Sequence, residues 1–146
     1  MNQDFKKKIF EEVKKRGLVV EQKSKKNDFV ELISLLLHSR NQSHVHHLQT
    51  KSYAEHKALN DYYEGIVGLV DGLVESYQGK YEILSGYKTY EIEEYKSNEA
   101  TVKYFRELCH KVETLKKCCE ETWIQNQIDE VCELINSTLY KLRFLK

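Results

Sequence analysis

The sequence contains no proline, no long apolar run and no excess of either charge. Its 146 residues are 40% apolar and 32% charged, and the formal net charge is zero. Proline commonly marks loops and sheet edges, so its absence from this mixture favours a single, mostly helical domain. The apolar runs are far shorter than a membrane span, and the lysine-rich N-terminus lacks the apolar segment of a secretory signal. We therefore expect an intracellular protein that does not insert into a membrane.

The cysteines also lack a recognisable motif. They lie at positions 109, 118, 119 and 132, without the C-x-x-C spacing of common metal and redox sites. In a reducing compartment such residues are packed or solvated thiols more often than zinc ligands. Cys118 and Cys119 should point in two directions on a helix, which argues against their binding one metal ion. The sequence assigns the cysteines no role.

The neutral net charge hides an uneven distribution along the chain. Residues 1–26 contain nine lysines and arginines and four acidic residues, a balance of +5, which leaves −5 on the remainder. A basic segment can bind phosphate backbones, although a solvated amphipathic helix is the commoner explanation. The four acidic residues and the overall neutrality indicate that any DNA affinity is weak.

Apolar periodicity predicts a short N-terminal helix followed by a linker. Residues 4–16 carry one apolar stripe, and Gly17 stands where such a helix would end. The polar stretch EQKSKKN then predicts a linker. We therefore divide the chain into a basic N-terminal helix with its linker, residues 1–26, and a helical body, residues 27–146.

The body contains four longer amphipathic segments and a tyrosine-rich stretch, 80–96, with little periodicity. Four such segments with one long middle connection are typical of a four-helix bundle with one crossover. The predicted fold is thus all-α, with an extra short N-terminal helix before the bundle. The four segments run from Asn27 or Asp28 for about 20 residues, from a capping box at Ser52 and Glu55 to a stop at Gly79, over residues 97–119, and onward from a capping box at Thr122 and Gln125.

On a helical wheel, the second segment carries a polar stripe beside its apolar face. At about 100° per residue, His56, Asn60, Asp71 and Glu75 lie along one edge of the apolar stripe. Half-buried carboxylates need compensation, and a bound cation neutralises them while occupying their lone pairs. The alternative is that Asp71 and Glu75 face solvent and that His56 merely lies at a helix end.

Three glycines lie beyond the polar stripe, at Gly65, Gly68 and Gly72. Each costs about 1 kcal/mol relative to alanine inside a helix. One reason to keep them is the close approach of another backbone. We therefore expect a second helix to pack on this side, and a helix from another subunit would make it a dimer seam.

The spacing of these polar residues resembles the core signature of the Dps proteins, the mini-ferritins of the ferritin-like superfamily. The similar segment is HLQTKSYAEHKALNDYYEGIVGLVDGLVESY, residues 47–77. In Dps proteins a His-Trp pair closes the first bundle helix, and a later histidine is followed by an aspartate at +4 and an Asp-x-x-x-Glu pair at +15 and +19. The corresponding residues in this chain are His47 with Leu48, then His56, Asn60 at +4, Asp71 at +15 and Glu75 at +19.

The resemblance implies a specific function. Dps proteins are four-helix bundles that form hollow homo-oligomeric shells, usually dodecamers, with iron sites at two-fold interfaces. Fe(II) is oxidised there, typically by hydrogen peroxide, and stored, which limits oxidative stress. Imidazole and carboxylate ligands suit iron. The resemblance therefore implies a mono- or di-iron site and ferroxidase activity in the cytoplasm of a bacterial or phage-infected cell. Its ligands would be His47, His56 and Asn60 of one chain and Asp71 and Glu75 of its partner.

The chain also departs from the family pattern. Asn60 replaces the family aspartate, Leu48 replaces the tryptophan, and nine residues from His47 to His56 is a shorter interval than Dps chains usually have. Such departures are typical of a divergent, for example phage-encoded, member. They leave open a helical structural or interaction protein with a degraded metal site. A further alternative is DNA protection through the basic N-terminal segment.

The other histidines have weaker claims to a functional role. His44 lies one turn before His47 and could add a ligand, whereas His46 should point elsewhere. The sequence HVHHL excludes an H-E-x-x-H zinc motif. We expect His38 and His110 to be packed or surface residues.

Overall fold

The computed structural model describes residues 3–146 and contains four α-helices. They are α1 (Gln3–Gln49), α2 (Tyr53–Lys80), α3 (Asn98–Leu115) and α4 (Thr122–Phe144), with a 3-10 turn, Lys116–Cys118, between the last two. No strand occurs in this range, which confirms the all-α prediction. No helix in the described range combines the length and apolar character needed to cross a membrane.

α1 is one continuous helix of 47 residues, so the predicted short N-terminal helix and linker are wrong. Gly17 does not adopt a positive φ, and no atom lies within 4 Å of the position that its Cβ would take. An interior glycine costs only about 1 kcal/mol relative to alanine, and lysine, glutamate and glutamine are good helix formers. The helix therefore continues through Gly17 and through the EQKSKKN stretch.

The first half of α1 extends beyond the rest of the molecule. Every residue from 3 to 24, a segment called the N-terminal arm below, is exposed, and the first buried side chain of α1 is Phe29. The apolar stripe predicted for the arm exists but faces solvent: Phe5, Ile9 and Val13 are all exposed. The helix is thus a basic, solvent-exposed extension at its start and a core element at its end.

The core lies among α2, α3, α4 and the second half of α1. α1 makes its main contacts with α2 and α3, and α4 likewise packs on α2 and α3. Tyr62 is fully buried, with its hydroxyl 2.7 Å from Ser39 Oγ and its ring edge-on to Phe105. The six apolar positions predicted for the last helix are all buried: Ile124, Ile128, Val131, Ile135, Leu139 and Leu142.

The connections fix the directions of the helices. Only residues 50–52 join α1 to α2, and residues 116–121 join α3 to α4, so the helices of each pair are antiparallel. Residues 81–97 form the crossover between the pairs, and no helix occurs within it. Gly86 has φ +85°, a value that favours glycine, just after the crossover side chain of Leu84 enters the core.

Polar side chains of α1 hold the crossover along the helix. The backbone N–H groups of Lys88, Glu93 and Tyr95 donate to Ser34 Oγ, Gln42 Oε1 and Gln49 Oε1, at 2.9, 2.8 and 2.7 Å respectively. These acceptors advance toward the C-terminus of α1, so the crossover returns the chain to the end where α2 begins. α2 and α3 consequently run in the same direction.

The capping box predicted at the start of α2 forms in part. Ser52 is the N-cap, and its side chain accepts from the Glu55 N–H at 3.3 Å. The Glu55 carboxylate does not return to the Ser52 N–H, which donates instead to Thr50 Oγ1. Glu55 Oε2 accepts from the hydroxyls of Thr50 and Tyr95, both at 2.8 Å. Glu55 thereby links the crossover to the α1–α2 loop.

Two predicted helix-end signals are not used as expected, although the helices begin and end within two residues of the predicted positions. α2 continues through Gly79 to Lys80, because an interior glycine is tolerated there as at Gly17. The second capping box does not form: Glu121 is the N-cap of α4, without a side-chain capping bond. Gln125 instead donates from Nε2 to the Cys119 carbonyl oxygen at 2.7 Å, which ties α4 to the preceding turn.

Candidate functional site

His47 and His56 form a closely packed pair where α1 ends and α2 begins. Their rings are stacked with centroids 3.7 Å apart and planes 21° apart. His47 Nδ1 lies 2.8 Å from the His56 carbonyl oxygen, and His56 Nδ1 lies 2.9 Å from the His47 carbonyl oxygen. The short loop 50–52 brings these residues, nine apart in sequence, into reciprocal contact.

These hydrogen bonds fix the protons of both rings. A carbonyl oxygen can only accept, so each Nδ1 must carry the hydrogen that it donates. In the neutral rings each Nε2 therefore keeps its lone pair. Metal-binding histidines commonly show this arrangement, in which one ring nitrogen donates to a backbone carbonyl and the other is the ligand. The pair thus offers two oriented nitrogen donors.

Aromatic and amide side chains surround the pair. Tyr63 of α2 packs edge-on to His47 at 5.1 Å, and its other ring neighbour is His44, stacked at 4.1 Å. The Tyr63 hydroxyl donates to Asn60 Oδ1 at 2.9 Å. His44 therefore lies next to the pair through Tyr63, and Asn60 is oriented by the same tyrosine. No spacing or periodicity in the sequence marks Tyr63 as part of the site.

Asp71 and Glu75 lie far from the histidine pair within one chain. Fifteen residues separate His56 from Asp71 on the same helix, a distance of about 22 Å at 1.5 Å per residue. Both carboxylates are exposed, and neither has a hydrogen bond or ion pair within residues 3–146. Accordingly, no group of three or more histidine, cysteine, aspartate or glutamate side chains arranged for a metal ion occurs in the described chain.

The glycine stripe of α2 divides into two parts. A Cβ on Gly65 would touch Leu134 of α4 at 3.4 Å, so this glycine packs within the chain. Gly68 and Gly72 are exposed, and a Cβ on either would meet no atom within 4 Å. The part of the predicted seam that is open to another molecule therefore comprises Gly68 and Gly72, next to Asp71 and Glu75.

His46 has a structural role that the sequence analysis did not identify. Gln42 donates from Nε2 to the Glu93 carbonyl oxygen at 2.6 Å and accepts the Glu93 N–H on Oε1, which fixes the orientation of its amide. The remaining amide hydrogen of Gln42 points to His46 Nε2, 2.8 Å away. His46 Nδ1 is 3.1 Å from Thr101 Oγ1, which itself donates to Ser97 O. His46 thus joins the crossover to α3.

The hydrogen-bond network requires neutral His46. Its Nε2 must accept from Gln42, and burial lowers the pKa of the imidazole below its usual value. Of the remaining histidines that do not contact the pair, His38 is half-buried with a pKa also lowered by burial, and His110 is exposed. The signal for His46 was Gln42, one turn earlier on the same helix face, since a buried amide needs several partners.

The fold and the site define an all-helical protein with a paired-histidine site at the α1–α2 turn. The chain belongs to a family of unknown function, DUF5856, whose model matches residues 47–142. That span begins at His47 and includes the rest of the candidate site, whereas the N-terminal arm lies outside it. No curated protein and no solved structure matches the chain.

Proposed function

We propose that this protein is a ferritin-like, Dps-like iron-binding protein that binds and oxidises Fe(II) between two copies of the chain. His47, His56 and Asn60 of one copy and Asp71 and Glu75 of the other are the proposed ligands. The observation that carries the proposal is the reciprocal bonding of His47 and His56, which leaves both Nε2 atoms free to bind a metal. Oxidised iron would then be retained inside a homo-oligomeric shell.

The topology supports a ferritin-like bundle. Two antiparallel helix pairs are joined by one long crossover along α1, and α1 contacts α2 and α3 while α4 contacts the same two helices. One long crossover distinguishes ferritin-like bundles from up-down-up-down bundles with short loops. In ferritin-like bundles metal ligands project from helices, as the proposed ligands of α1 and α2 do.

The position of the carboxylates supports a site shared between copies. Asp71 and Glu75 are about 22 Å or more from the histidine pair along α2, so one chain cannot join both groups at one ion. Two exposed carboxylates, which have no ion-pair partner within residues 3–146, flank the open surface at Gly68 and Gly72. A two-fold axis brings the same patch of two copies together, and each copy can then complete the site of the other.

The donor set fits iron. Imidazole nitrogen with carboxylate oxygen is typical of non-haem Fe(II) sites, and none of the proposed ligands is a cysteine. The Asn60 amide oxygen accepts from Tyr63 and retains a second lone pair, so it can bind only as a neutral ligand. Since Asn60 replaces a carboxylate, we expect tight binding of one iron and weaker binding of a second.

The chain's residues have distinct roles in the proposed reaction. The imidazoles hold Fe(II) and keep its position, because the backbone carbonyls fix their rings. Asp71 and Glu75 compensate the positive charge, which stabilises Fe(III) more than Fe(II). Two Fe(II) ions each give one electron to hydrogen peroxide, which takes up two protons and forms two water molecules.

The test compares Fe(II) oxidation by the wild type with that of a variant lacking both partner carboxylates. With Asp71→Ala/Glu75→Ala, peroxide-driven oxidation should fall at least about tenfold, toward the rate in buffer, because the ions lose two ligands. The control is Asp129→Ala/Glu133→Ala, which removes an exposed pair with the same spacing from α4. If the wild type oxidises Fe(II) no faster than buffer, the ferroxidase proposal is wrong.

A second candidate function, nucleic-acid binding, rests on the exposure of the arm. Residues 1–26 carry a balance of +5, and every residue from 3 to 24 is exposed. Lys25 and Lys26 form ion pairs with Glu120 and Glu82 of the body. The positive charge that could bind a nucleic acid therefore lies on the residues that precede Lys25. Deleting residues 1–20 should abolish a weak, salt-sensitive DNA mobility shift. If the wild type gives no shift at low salt, this candidate is excluded.

A further inference from the structure

The structure brings the thiols of Cys118 and Cys119 together, against the sequence-based expectation that they point apart. Their Sγ atoms are 3.4 Å apart. The expectation assumed a helix through both residues. Cys118 instead ends the 3-10 turn, and Cys119 has extended backbone with φ −104° and ψ 131°. This change of backbone conformation between neighbours places the two side chains on the same side.

Backbone and side-chain hydrogen bonds hold this turn in place. The Cys119 N–H donates to the Lys116 carbonyl oxygen at 3.1 Å. The Cys119 carbonyl oxygen accepts from Gln125 Nε2 at 2.7 Å. The turn is therefore anchored on both sides of the Cys119 side chain, and the thiols stay close without a covalent bond.

The thiol pair lines a cavity at the base of the N-terminal arm. The cavity has a volume of about 610 Å³ and is also lined by Leu18 and Val19 of α1 and by Tyr77 and Tyr81. Cys118 is half-buried and Cys119 is 5% exposed. A small oxidant can reach the sulfurs through the cavity, whereas a protein-sized partner cannot reach Cys119.

The contact between the thiols distinguishes their acidities. Hydrogen bonding from Cys118 lowers the pKa of Cys119, and the same contact, with burial, raises the pKa of Cys118. A thiolate is the form that attacks an oxidant. Cys119 is thus the better nucleophile, and Cys118 is a neighbouring thiol that can react with its oxidation product.

We infer that Cys118 and Cys119 form a redox-active pair that a peroxide converts reversibly into a disulfide within the chain. The Cys119 thiolate attacks one peroxide oxygen, breaks the O–O bond and becomes a sulfenic acid while the other oxygen leaves as water after protonation. The Cys118 sulfur then displaces that hydroxyl as a second water and forms the S–S bond. In total two thiols lose two electrons and two protons, and one peroxide becomes two waters. This chemistry is independent of the iron site.

The other two cysteines provide an internal comparison. Burial raises the pKa of Cys109 and raises that of Cys132 to about 11. Cys109 also accepts a hydrogen bond from Asn136 Nδ2 at 3.5 Å, and neither residue lines the cavity of the thiol pair. Both should remain thiols when the pair at 118 and 119 is oxidised.

The test is mass spectrometry of metal-free protein treated with hydrogen peroxide. Cleavage after glutamates separates residues 114–120 from the fragments that contain Cys109 and Cys132. The 114–120 fragment should lose two hydrogen atoms, resist alkylation and recover both free thiols with dithiothreitol. Cys119 should react with hydrogen peroxide at least about tenfold faster than Cys132 does, because a larger fraction of Cys119 is thiolate.

Two variants complete the experiment. Cys109→Ser/Cys132→Ser should leave the oxidation of the pair unchanged. In Cys118→Ser no thiol can react with the Cys119 sulfenic acid, so a second peroxide should oxidise it to a sulfinic acid, which dithiothreitol does not reduce. The inference is overturned if, during peroxide treatment, the wild-type 114–120 fragment loses its alkylatable thiols no faster than Cys132 does. It is equally overturned if the fragment gains oxygen without losing two hydrogens.

Discussion

Gln42 of α1 binds the crossover and also His46, which contacts Thr101 of α3, so its replacement gives a sharp test of how the fold is held together. Its amide makes two hydrogen bonds to the Glu93 backbone and one to His46 Nε2, and its side chain is 2% exposed. Gln42→Leu keeps a similar volume, so the packing loss is small. It leaves three polar groups without their partner: the Glu93 N–H, the Glu93 carbonyl and His46 Nε2.

The expected loss of stability follows from these three groups. A hydrogen bond contributes about 1 kcal/mol net and an unsatisfied buried group costs about 1–3 kcal/mol, but water can reach the partly buried Glu93 backbone. We expect a destabilisation of about 2–4 kcal/mol, which lowers the urea midpoint by roughly 1–2 M at an unchanged m value. The control, Gln49→Leu, removes one exposed crossover bond to Tyr95 and should cost about 1 kcal/mol or less.

The two variants should be compared by urea denaturation at pH 7.5, with circular dichroism as the signal for unfolding. An unchanged m value shows that the folded and unfolded states are otherwise comparable. If Gln42→Leu shifts the midpoint no more than Gln49→Leu does, the buried network does not hold the crossover. The structural roles assigned to Gln42 and His46 would then be wrong.

Three further predictions concern His46 and two glycines of α2. Burial lowers the pKa of His46 in the folded chain, so as the pH falls this histidine is protonated first in the unfolded chain. The free energy of unfolding should therefore be unaffected by His46 protonation above about pH 6.5 and should decrease below that pH. Urea midpoints at pH 7.5 and 5 should differ less in His46→Leu than in the wild type, and an equal difference would contradict this. Gly65→Ala should leave stability unchanged or raise it by up to about 1 kcal/mol, because its Cβ meets Leu134 at ordinary contact distance. Gly68→Leu should leave the melting temperature of the separate chain unchanged but reduce the size of the assembly in size-exclusion chromatography. An assembly of unchanged size would exclude close packing at Gly68.

Much of the fold was predictable from periodic apolar residues. The pattern of α4 identified its buried side chains correctly, since a stripe at helical spacing needs a core to cover it. Boundaries were less predictable where glycine was taken as a stop. Gly17 and Gly79 both lie inside helices, because the cost of one glycine is small beside the helix propensity of the surrounding residues.

The contact between the two histidines was predictable from the sequence, whereas the full ligand set with Asn60, Asp71 and Glu75 stays a prediction. The spacing singled out His47 and His56, and the structure brings their rings into contact. The partners of His46 were not predictable, because they come from the crossover and α3, which only tertiary packing brings near. The pairing of Cys118 with Cys119 was missed for a related reason: a turn, rather than a helix, determines where the side chains point.

The most direct test of an iron site shared between two copies is complementation between inactive variants. His47→Ala/His56→Ala lacks one half of the proposed site, and Asp71→Ala/Glu75→Ala lacks the other. Each variant should bind and oxidise little Fe(II) when it is the only chain present. Co-expressed in equal amounts, they should recover about one quarter of the wild-type sites, because half of randomly formed two-fold pairs are mixed and each mixed pair has one intact site. Recovery of none of the wild-type activity, at a mixed composition confirmed by mass spectrometry, would contradict a site built from two chains.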